Sequence, residues 1–212
     1  MANRKAIFVL AGLGLVLVVA AVWMVMAPDP IDGDPTSSDP EQRMTAASSL
    51  GERKDQDAVK TLILLADDRN DRVAVRAVRS LGRQKTEPSR EALQNLLDSA
   101  DKARIRGAAA AELGQYEDLD PHVLTDVLSN PQAEPETRAG AAKGLSRLKN
   151  RDAVPELFQA LSDPDPKVRL WASTALGKIT GRRYMYYADK PPSQQREVIE
   201  AIKRSLKRLG YL

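Results

Sequence analysis

The sequence predicts an all-α protein, a short α-solenoid preceded by one N-terminal transmembrane helix. Three observations support this prediction. A ten-residue pattern, clearest as VRLWASTALG at residues 168–177, recurs at four earlier places in the 212-residue chain. An apolar segment with helical spacing precedes each of the last four copies, and residues 6–27 form an apolar run without a charged residue. Repetition at a fixed period is typical of stacked helical repeats, and an apolar run of this length is typical of a membrane span.

Each copy of the pattern ends in a leucine, and successive leucines lie 31, 32, 32 and 31 residues apart. An alanine stands four residues before each leucine. Both positions fall on one face of a helix, so the pattern predicts a buried stripe with a close helix crossing at the alanine. A glycine follows the leucine in four copies, and we expect it to end the helix in the left-handed conformation. The alanines and leucines are Ala46, Ala77, Ala109, Ala141 and Ala172, and Leu50, Leu81, Leu113, Leu145 and Leu176.

The two apolar segments of each repeat predict a pair of antiparallel helices, neither of which can bury its apolar face alone. We predict that residues 41–181 form this array, as a half repeat followed by four full repeats. Residues 182–212 follow as a C-terminal capping segment, whose amphipathic basic helix runs from about Ser193 to Leu209.

The repeats resemble HEAT-like repeats of the phycobilisome-lyase type, whose second helix carries an Asp, a Val-Arg, an Ala and a Leu-Gly. The stretch DPDPKVR at residues 163–169 matches that pattern best, and the resemblance covers about Asp39 to Gly181. It implies an α-solenoid. It does not select a function, because the family includes lyases, scaffolds and adaptors.

The apolar run at residues 6–27 is long enough, at about 1.5 Å per residue, to cross the roughly 30 Å hydrocarbon core of a bilayer. Positive charges lie before the run, in residues 1–5, and aspartates follow it. The positive-inside rule therefore predicts a cytoplasmic N-terminus and repeats on the extracytoplasmic side, which is the periplasmic side of a bacterial inner membrane. A cleaved signal peptide is the competing interpretation, although its apolar region is usually only about 7–15 residues long. Residues 28–40, rich in proline and aspartate, predict a disordered tether.

The residue content argues against catalysis. The chain has no cysteine and a single histidine, His122, placed in the first turn of a predicted helix. No Walker, dinucleotide-binding or GxSxG motif occurs. We therefore predict a protein that is not an enzyme and uses no cofactor, metal, nucleic acid or small-molecule substrate.

Two sets of charged residues, aspartates clustered in loops and arginines at the repeat period, have both a structural and a functional interpretation. Loop aspartates could bind calcium, but helix capping explains them better. Arginines seven residues before the repeat leucine could bind anions, but a structural ladder to the loop acids explains their period better. The aspartates are Asp67, Asp68, Asp71, Asp163 and Asp165, and the arginines are Arg43, Arg106, Arg138 and Arg169.

In α-solenoids the second helices usually line the inner wall, so partly exposed positions beside the buried stripe are candidate binding residues. Four such residues, two or five positions before the repeat leucine, are predicted to bind protein: Arg76, Arg79, Lys143 and Trp171. Packing against the terminal cap is the other interpretation of Trp171.

The C-terminal segment supplies a second candidate surface because it is basic. From Lys178 onward the chain has nine basic and three acidic residues, whereas residues 28–177 have 21 basic and 26 acidic residues. The final helix carries Lys203, Arg204, Lys207 and Arg208. These side chains fit either a solvated face of the cap or contact with an acidic partner or anionic lipid.

The predicted function is a membrane-anchored scaffold or adaptor that mediates protein–protein interaction on the extracytoplasmic side. The alternative is a lyase or chaperone-like repeat protein that acts on a prosthetic group or its carrier protein. That alternative would require a groove lined by aromatic residues.

Overall fold

The computed structural model describes residues 31–212, of which Asp32–Leu212 form one compact unit. Over this range the chain forms ten α-helices and three short 3-10 turns, and no strand. The predicted all-α solenoid is therefore confirmed. The helices are α1 (Pro40–Leu50), α2 (Gln56–Ala66), α3 (Asp71–Gln84), α4 (Glu87–Ser99), α5 (Ala103–Leu113), α6 (His122–Ser129), α7 (Pro135–Leu148), α8 (Val154–Gln159), α9 (Pro166–Thr180) and α10 (Arg196–Arg208). The 3-10 turns are Arg151–Ala153, Ala160–Ser162 and Pro192–Gln194.

The helices form two layers. The odd-numbered helices α1 to α9 are the second helices of the repeats, and each packs against the next one along the chain. The even-numbered helices α2 to α8 are the first helices and pack beside them. All five pattern alanines have no exposed surface, and the five leucines are at most 3% exposed. The predicted stripe is therefore the continuous core of the array.

The glycines that follow the repeat leucines do not have the predicted left-handed conformation. Gly51 ends α1 with a φ of −66°, and Gly82 and Gly177 lie inside helices that continue past them. The left-handed residues that end α3, α7 and α9 come later, at Lys85, Lys149 and Gly181. The prediction that the glycine ends the helix therefore holds at Gly51 and Gly114 but not at Gly82 and Gly177, and the predicted left-handed conformation is wrong at all four.

These glycines instead allow the next second helix to approach closely. A Cβ atom added at Gly51 would lie 2.9 Å from the Cβ of Ser80, and one added at Gly82 would lie 2.7 Å from the Cβ of Glu112. At Gly114 an added Cβ would overlap the backbone of Gly144. The glycine therefore removes a side chain where two second helices meet.

The approach is closest between α5 and α7. A Cβ atom added at Gly140 would overlap the backbone of Gly107, one added at Gly107 would overlap the carbonyl oxygen of Glu136, and Gly144 lies against the carbonyl oxygen of Ala110. Backbone thus packs directly on backbone in the middle of the array. Small side chains on both helices make this spacing possible.

Three of the four arginines seven residues before the repeat leucine form the predicted structural ladder with acids of the next repeat, and the fourth, Arg169, contacts backbone carbonyl oxygens instead. Arg43 donates to the carbonyl oxygens of Ser37 and Ser38, just before its own helix, and pairs with Asp68 of the next repeat at 2.6 Å. The last arginine, Arg169, donates at 2.6 Å to the carbonyl oxygen of Ala188 in the C-terminal segment. The intermediate pairs are Arg106 with Glu134 at 2.6 Å and Arg138 with Asp163 at 2.9 Å.

We expect the Asp68→Asn variant to lose less stability in acid than the parent protein. The hydrogen bond from Arg43 holds the pKa of the Asp68 carboxyl below its ordinary value of 3.8. A pKa that is lower in the folded state stabilises the fold above the unfolded-state pKa, and this contribution disappears as the pH falls through the folded-state pKa. Urea denaturation at pH 7 and at pH about 2.5 measures the effect. If both proteins lose the same free energy of unfolding between pH 7 and pH about 2.5, the Arg43–Asp68 pair does not contribute to acid sensitivity.

The C-terminal segment packs on the last repeat. Tyr211 donates to the carbonyl oxygen of Ile179 at 3.3 Å, and the guanidinium of Arg151 lies 4.4 Å from the centre of its ring. Ile202 and Leu206 of α10 are buried. Helix α10 begins at Arg196 rather than near Ser193, because residues 192–194 form a 3-10 turn.

The predicted disordered tether at residues 28–40 differs from the structure over residues 32–39, and residues 28–30 lie outside the described range. The backbone N–H of Asp32 donates to the hydroxyl of Ser49 at 3.1 Å, and Gly33 has a φ of +81° and lies so close to α1 that an added Cβ atom would overlap the helix backbone. Asp34 accepts hydrogen bonds from the backbone and hydroxyl of Thr36. Hydrogen bonds to α1 thus order a segment that has little apolar surface to bury.

The predicted membrane span at residues 6–27 lies outside the described residues, as do the cytoplasmic residues 1–5. Among the helices of residues 31–212, none has the length and apolar character needed to cross a membrane.

Candidate functional site

One groove runs across the second helices, and we call it the inner groove. It has a volume of about 390 Å³. Its walls are built mainly from the residues nine, five and two positions before each repeat leucine. These three positions lie on one face of the helix. These residues are Arg72, Arg76 and Arg79 on α3, Arg104, Ala108 and Ala111 on α5, Glu136, Gly140 and Lys143 on α7, and Lys167 and Trp171 on α9.

The structure brings together all four residues that the sequence predicts as protein-binding. Arg76, Arg79, Lys143 and Trp171 come from three different helices and line the same inner groove. The repeat places them there because positions two and five before each leucine lie beside the buried stripe. Their role in binding a protein remains a prediction.

The residues nine positions before the leucine were not predicted from the sequence. Arg72, Arg104, Glu136 and Lys167 line the inner groove one helical turn before the predicted positions. All four are charged, and the 31- or 32-residue period of this charged position is the signal that could have identified them.

Most of the charged groups of the inner groove are paired. Arg72 lies 3.2 Å from Glu41 and Lys167 lies 3.8 Å from Glu136. Each pair joins neighbouring second helices along the groove, and both are largely exposed, so each contributes little to stability.

The remaining acids of the inner groove also have cationic partners. Asp71 lies 3.0 Å from Lys102 and 3.4 Å from Arg104. The buried carboxylate of Glu112 lies 2.9 Å from Arg147. These three acids, Asp71, Glu112 and Glu136, therefore have their charges balanced within the protein.

Three cations of the inner groove are different. Within residues 31–212, no hydrogen bond or ion pair involves the side chains of Arg76, Arg79 or Lys143. Arg76 and Arg79 are exposed, and Lys143 is half-buried. Positive charge is thus concentrated on α3 and α7, on either side of α5, and no acid of the described residues forms an ion pair with it.

Lys143 and Trp171 form a contact across α7 and α9. The Nζ atom of Lys143 lies 5.2 Å from the centre of the Trp171 ring, within the range of a cation–π interaction. Burial is the main cause that lowers the pKa of Lys143, and the positive charges of Arg147 and Arg79 lower it further. A negative ligand beside Lys143 would relieve this repulsion.

The second candidate surface lies on α10. Lys203 is half-buried and lies 3.9 Å from Glu200, whereas Arg204, Lys207 and Arg208 are exposed. None of the four lines the inner groove. The structure therefore does not join the two predicted surfaces into one site.

The described residues show no metal-binding arrangement. Between residues 31 and 212, no group of three or more His, Asp or Glu side chains is placed to hold a metal ion. His122 is exposed at the start of α6. The loop aspartates accept hydrogen bonds instead: Asp68 from Arg43 and from the Asn70 backbone, and Asp163 from Arg138 and from the Asp165 backbone.

Comparison with solved structures supports the fold. One similar structure, that of the CpcE–CpcF complex of phycocyanin lyase from Nostoc sp. PCC7120, has 23% sequence identity and a TM-score of 0.52, and the match covers 74% of this chain and 68% of the other. Human deoxyhypusine hydroxylase has 17% identity and a TM-score of 0.44 over 68% of this chain and 69% of the other. A designed armadillo repeat protein has 18% identity and a TM-score of 0.42 over 81% and 88%. At these identities the first similarity shows the fold alone, and the other two TM-scores are too low to carry an argument.

Sequence comparison identifies the family. No curated protein sequence matches the chain significantly. A family model described as HEAT repeats matches residues 35–114 and 121–203, which is most of the chain. These residues contain all five copies of the Ala–Leu pattern. The chain belongs to the HEAT-repeat family.

Proposed function

We propose that this protein is a membrane-anchored HEAT-repeat scaffold or adaptor that binds a partner protein in the inner groove. The observation that carries the proposal is the set of three cations, Arg76, Arg79 and Lys143, that have no acidic partner within residues 31–212. Such charges do not stabilise the fold by pairing, so they are free to pair with a ligand. Trp171 adds an apolar anchor to the same groove, and Trp and Arg are the residues that most often dominate binding energy at protein interfaces.

The membrane anchor and the extracytoplasmic position of the repeats belong to the proposal. They rest on the length of the apolar run at residues 6–27 and on the charges that flank it. An anchor would restrict the repeats to the membrane surface and so raise the local concentration of any partner in the same membrane.

The alternative function, action on a prosthetic group, has less support in the groove itself. Among the described residues that line it, Trp171 is the single aromatic one, and the rest are charged or small apart from Met44 and Val75. A large conjugated ring system would need more apolar and aromatic contact than these residues offer.

The absence of cysteine from the chain allows a direct test with single-cysteine variants. Arg72→Cys places a thiol on the groove, and Lys60→Cys places a similarly exposed thiol on first helix α2. We expect a membrane-impermeant maleimide dye to label both variants in intact spheroplasts. We also expect a benzophenone maleimide at position 72 to give a photo-crosslinked adduct of defined mass that position 60 does not give.

The two readouts separate the parts of the proposal. Labelling only after lysis would contradict the extracytoplasmic position. Labelling of both thiols followed by identical crosslinking patterns would contradict binding in the inner groove. Recovery of a chromophore without a crosslinked protein would support the alternative function.

A further inference from the structure

We propose that the inner groove binds an extended segment of its partner that carries carboxylates at alternate positions. This inference rests on the proposed function and specifies the chemistry of the partner. Charge, spacing and the shape of the groove floor each support it.

The charge of the inner groove is unbalanced in one place. Asp71, Glu112 and Glu136 each lie within 4 Å of a cation of the same chain. Arg76, Arg79 and Lys143 have no such partner among the described residues. A ligand that brings carboxylates to these three cations would make charge-assisted hydrogen bonds without breaking an existing ion pair.

The spacing of the cations matches alternate residues of an extended chain. Arg76 and Arg79 stand three residues apart on α3, so their Cβ atoms are about 5–6 Å apart on one face. Side chains two residues apart in an extended segment point to the same side, about 6.6 Å apart. Lys143 faces the same space from α7. Carboxylates at alternate positions can therefore reach successive cations.

The groove floor leaves room for an extended backbone. It is formed by small residues, Gly107, Ala108, Ala111, Ala139 and Gly140, at the place where α5 and α7 approach most closely. Because no side chain of these residues extends beyond Cβ, the backbone of a bound segment can lie directly against the floor.

A nucleic acid strand fits this groove less well than an acidic peptide. Asp71 and Glu136 lie in the walls close to the unpaired cations, and residues 28–177 are acidic overall. A continuous polyanion would meet these carboxylates, whereas separate carboxylates can avoid them. Binding of nucleic acids typically requires a broad basic surface.

The test uses the purified full chain in non-ionic detergent and a fluorescein-labelled ten-residue peptide of alternating Glu and Ser. We expect fluorescence anisotropy to show binding at 50 mM NaCl that weakens at 300 mM NaCl. A Gln–Ser peptide of the same length should bind at least about ten-fold more weakly. In a Trp23→Phe background, where Trp171 is the sole tryptophan, the Glu–Ser peptide should change the emission of Trp171.

Charge-reversal variants locate the binding site. We expect Arg76→Glu/Arg79→Glu to raise the Kd of the Glu–Ser peptide by about ten-fold or more. The matched control, Lys54→Glu/Arg183→Glu, changes the net charge equally at exposed positions outside the groove and should leave the Kd unchanged. Circular dichroism confirms that both variants are folded.

Several outcomes would overturn the inference. One is a Gln–Ser peptide that binds as tightly as the Glu–Ser peptide. Another is an equal rise in the Kd of the Glu–Ser peptide in Arg76→Glu/Arg79→Glu and in the control variant. The third is a ten-nucleotide single-stranded DNA that competes more strongly than unlabelled Glu–Ser peptide. If the position-72 crosslink to a partner persists when the peptide fails to bind, the scaffold function stands and the acidic-segment inference fails. If that crosslink is also absent, the proposed function fails with it.

Discussion

The Arg138→Ala variant is expected to lower the free energy of unfolding by about 3 kcal/mol. The guanidinium of Arg138 holds both carboxylate oxygens of Asp163, at 2.9 and 3.0 Å, and donates to the carbonyl oxygen of Ala133. The two side chains of the pair are 9% and 10% exposed. Removal of the arginine leaves a nearly buried carboxylate without its cation, which costs more than the pair itself contributes. Urea denaturation of the full chain in non-ionic detergent, followed by far-UV circular dichroism, measures the change.

A matched control separates burial from pairing. Arg72 also pairs with an acid of the neighbouring repeat, Glu41, but these side chains are 74% and 64% exposed. We expect Arg72→Ala to change stability by less than about 1 kcal/mol. The double variant Arg138→Ala/Asp163→Ala should lose less than the sum of the two single losses, because no unpaired charge remains. A loss below about 1 kcal/mol for Arg138→Ala would mean that water replaces the guanidinium easily.

The Gly140→Ala variant is expected to lower the free energy of unfolding by about 3 kcal/mol, although alanine favours an isolated helix by about 1 kcal/mol. The added Cβ atom would overlap the carbonyl oxygen of Gly107, and both atoms belong to rigid backbone or are fixed to it. Helices α5 and α7 would have to separate, which would open the centre of the core. Urea denaturation under the same conditions measures the loss.

Gly177→Ala is the control because Gly177 also lies inside a second helix, α9. A Cβ atom there would have one close neighbour among the described residues, the carbonyl oxygen of Arg182 at 3.0 Å. We expect this variant to stay within about 1 kcal/mol of the parent protein. A Gly140→Ala variant as stable as the parent would show that α5 and α7 can move apart without cost.

The candidate site was predictable in part. Arg76, Arg79, Lys143 and Trp171 could be identified because their distance from the repeat leucine fixes the helix face on which they lie. The missed residues, such as Arg72 and Lys167, lie on the same face one turn earlier. Which cations remain unpaired could not be predicted, because Arg72 and Arg76 lie on the same face of α3 and only Arg72 meets an acid of the preceding second helix, α1.

The glycines show a limit of local patterns. A glycine after a leucine resembles a helix terminator, and the sequence alone supports that interpretation. At Gly51 and Gly82 the neighbouring helix, more than 25 residues later in the chain, explains the glycine instead. A local pattern cannot distinguish these causes because both require only the absence of a side chain.

The sequence by itself determined the helical class, the repeat period and the buried Ala–Leu stripe, because helix periodicity is a local property of the chain. Tertiary structure alone decided the backbone contact between α5 and α7, the ordering of residues 32–39 on α1, and the imbalance of charge in the inner groove. These features depend on distances between residues that are far apart in the chain, such as Asp32 and Ser49, which are 17 positions apart, and Gly107 and Gly140. Such distances are set by the packing of whole helices, which no single repeat specifies.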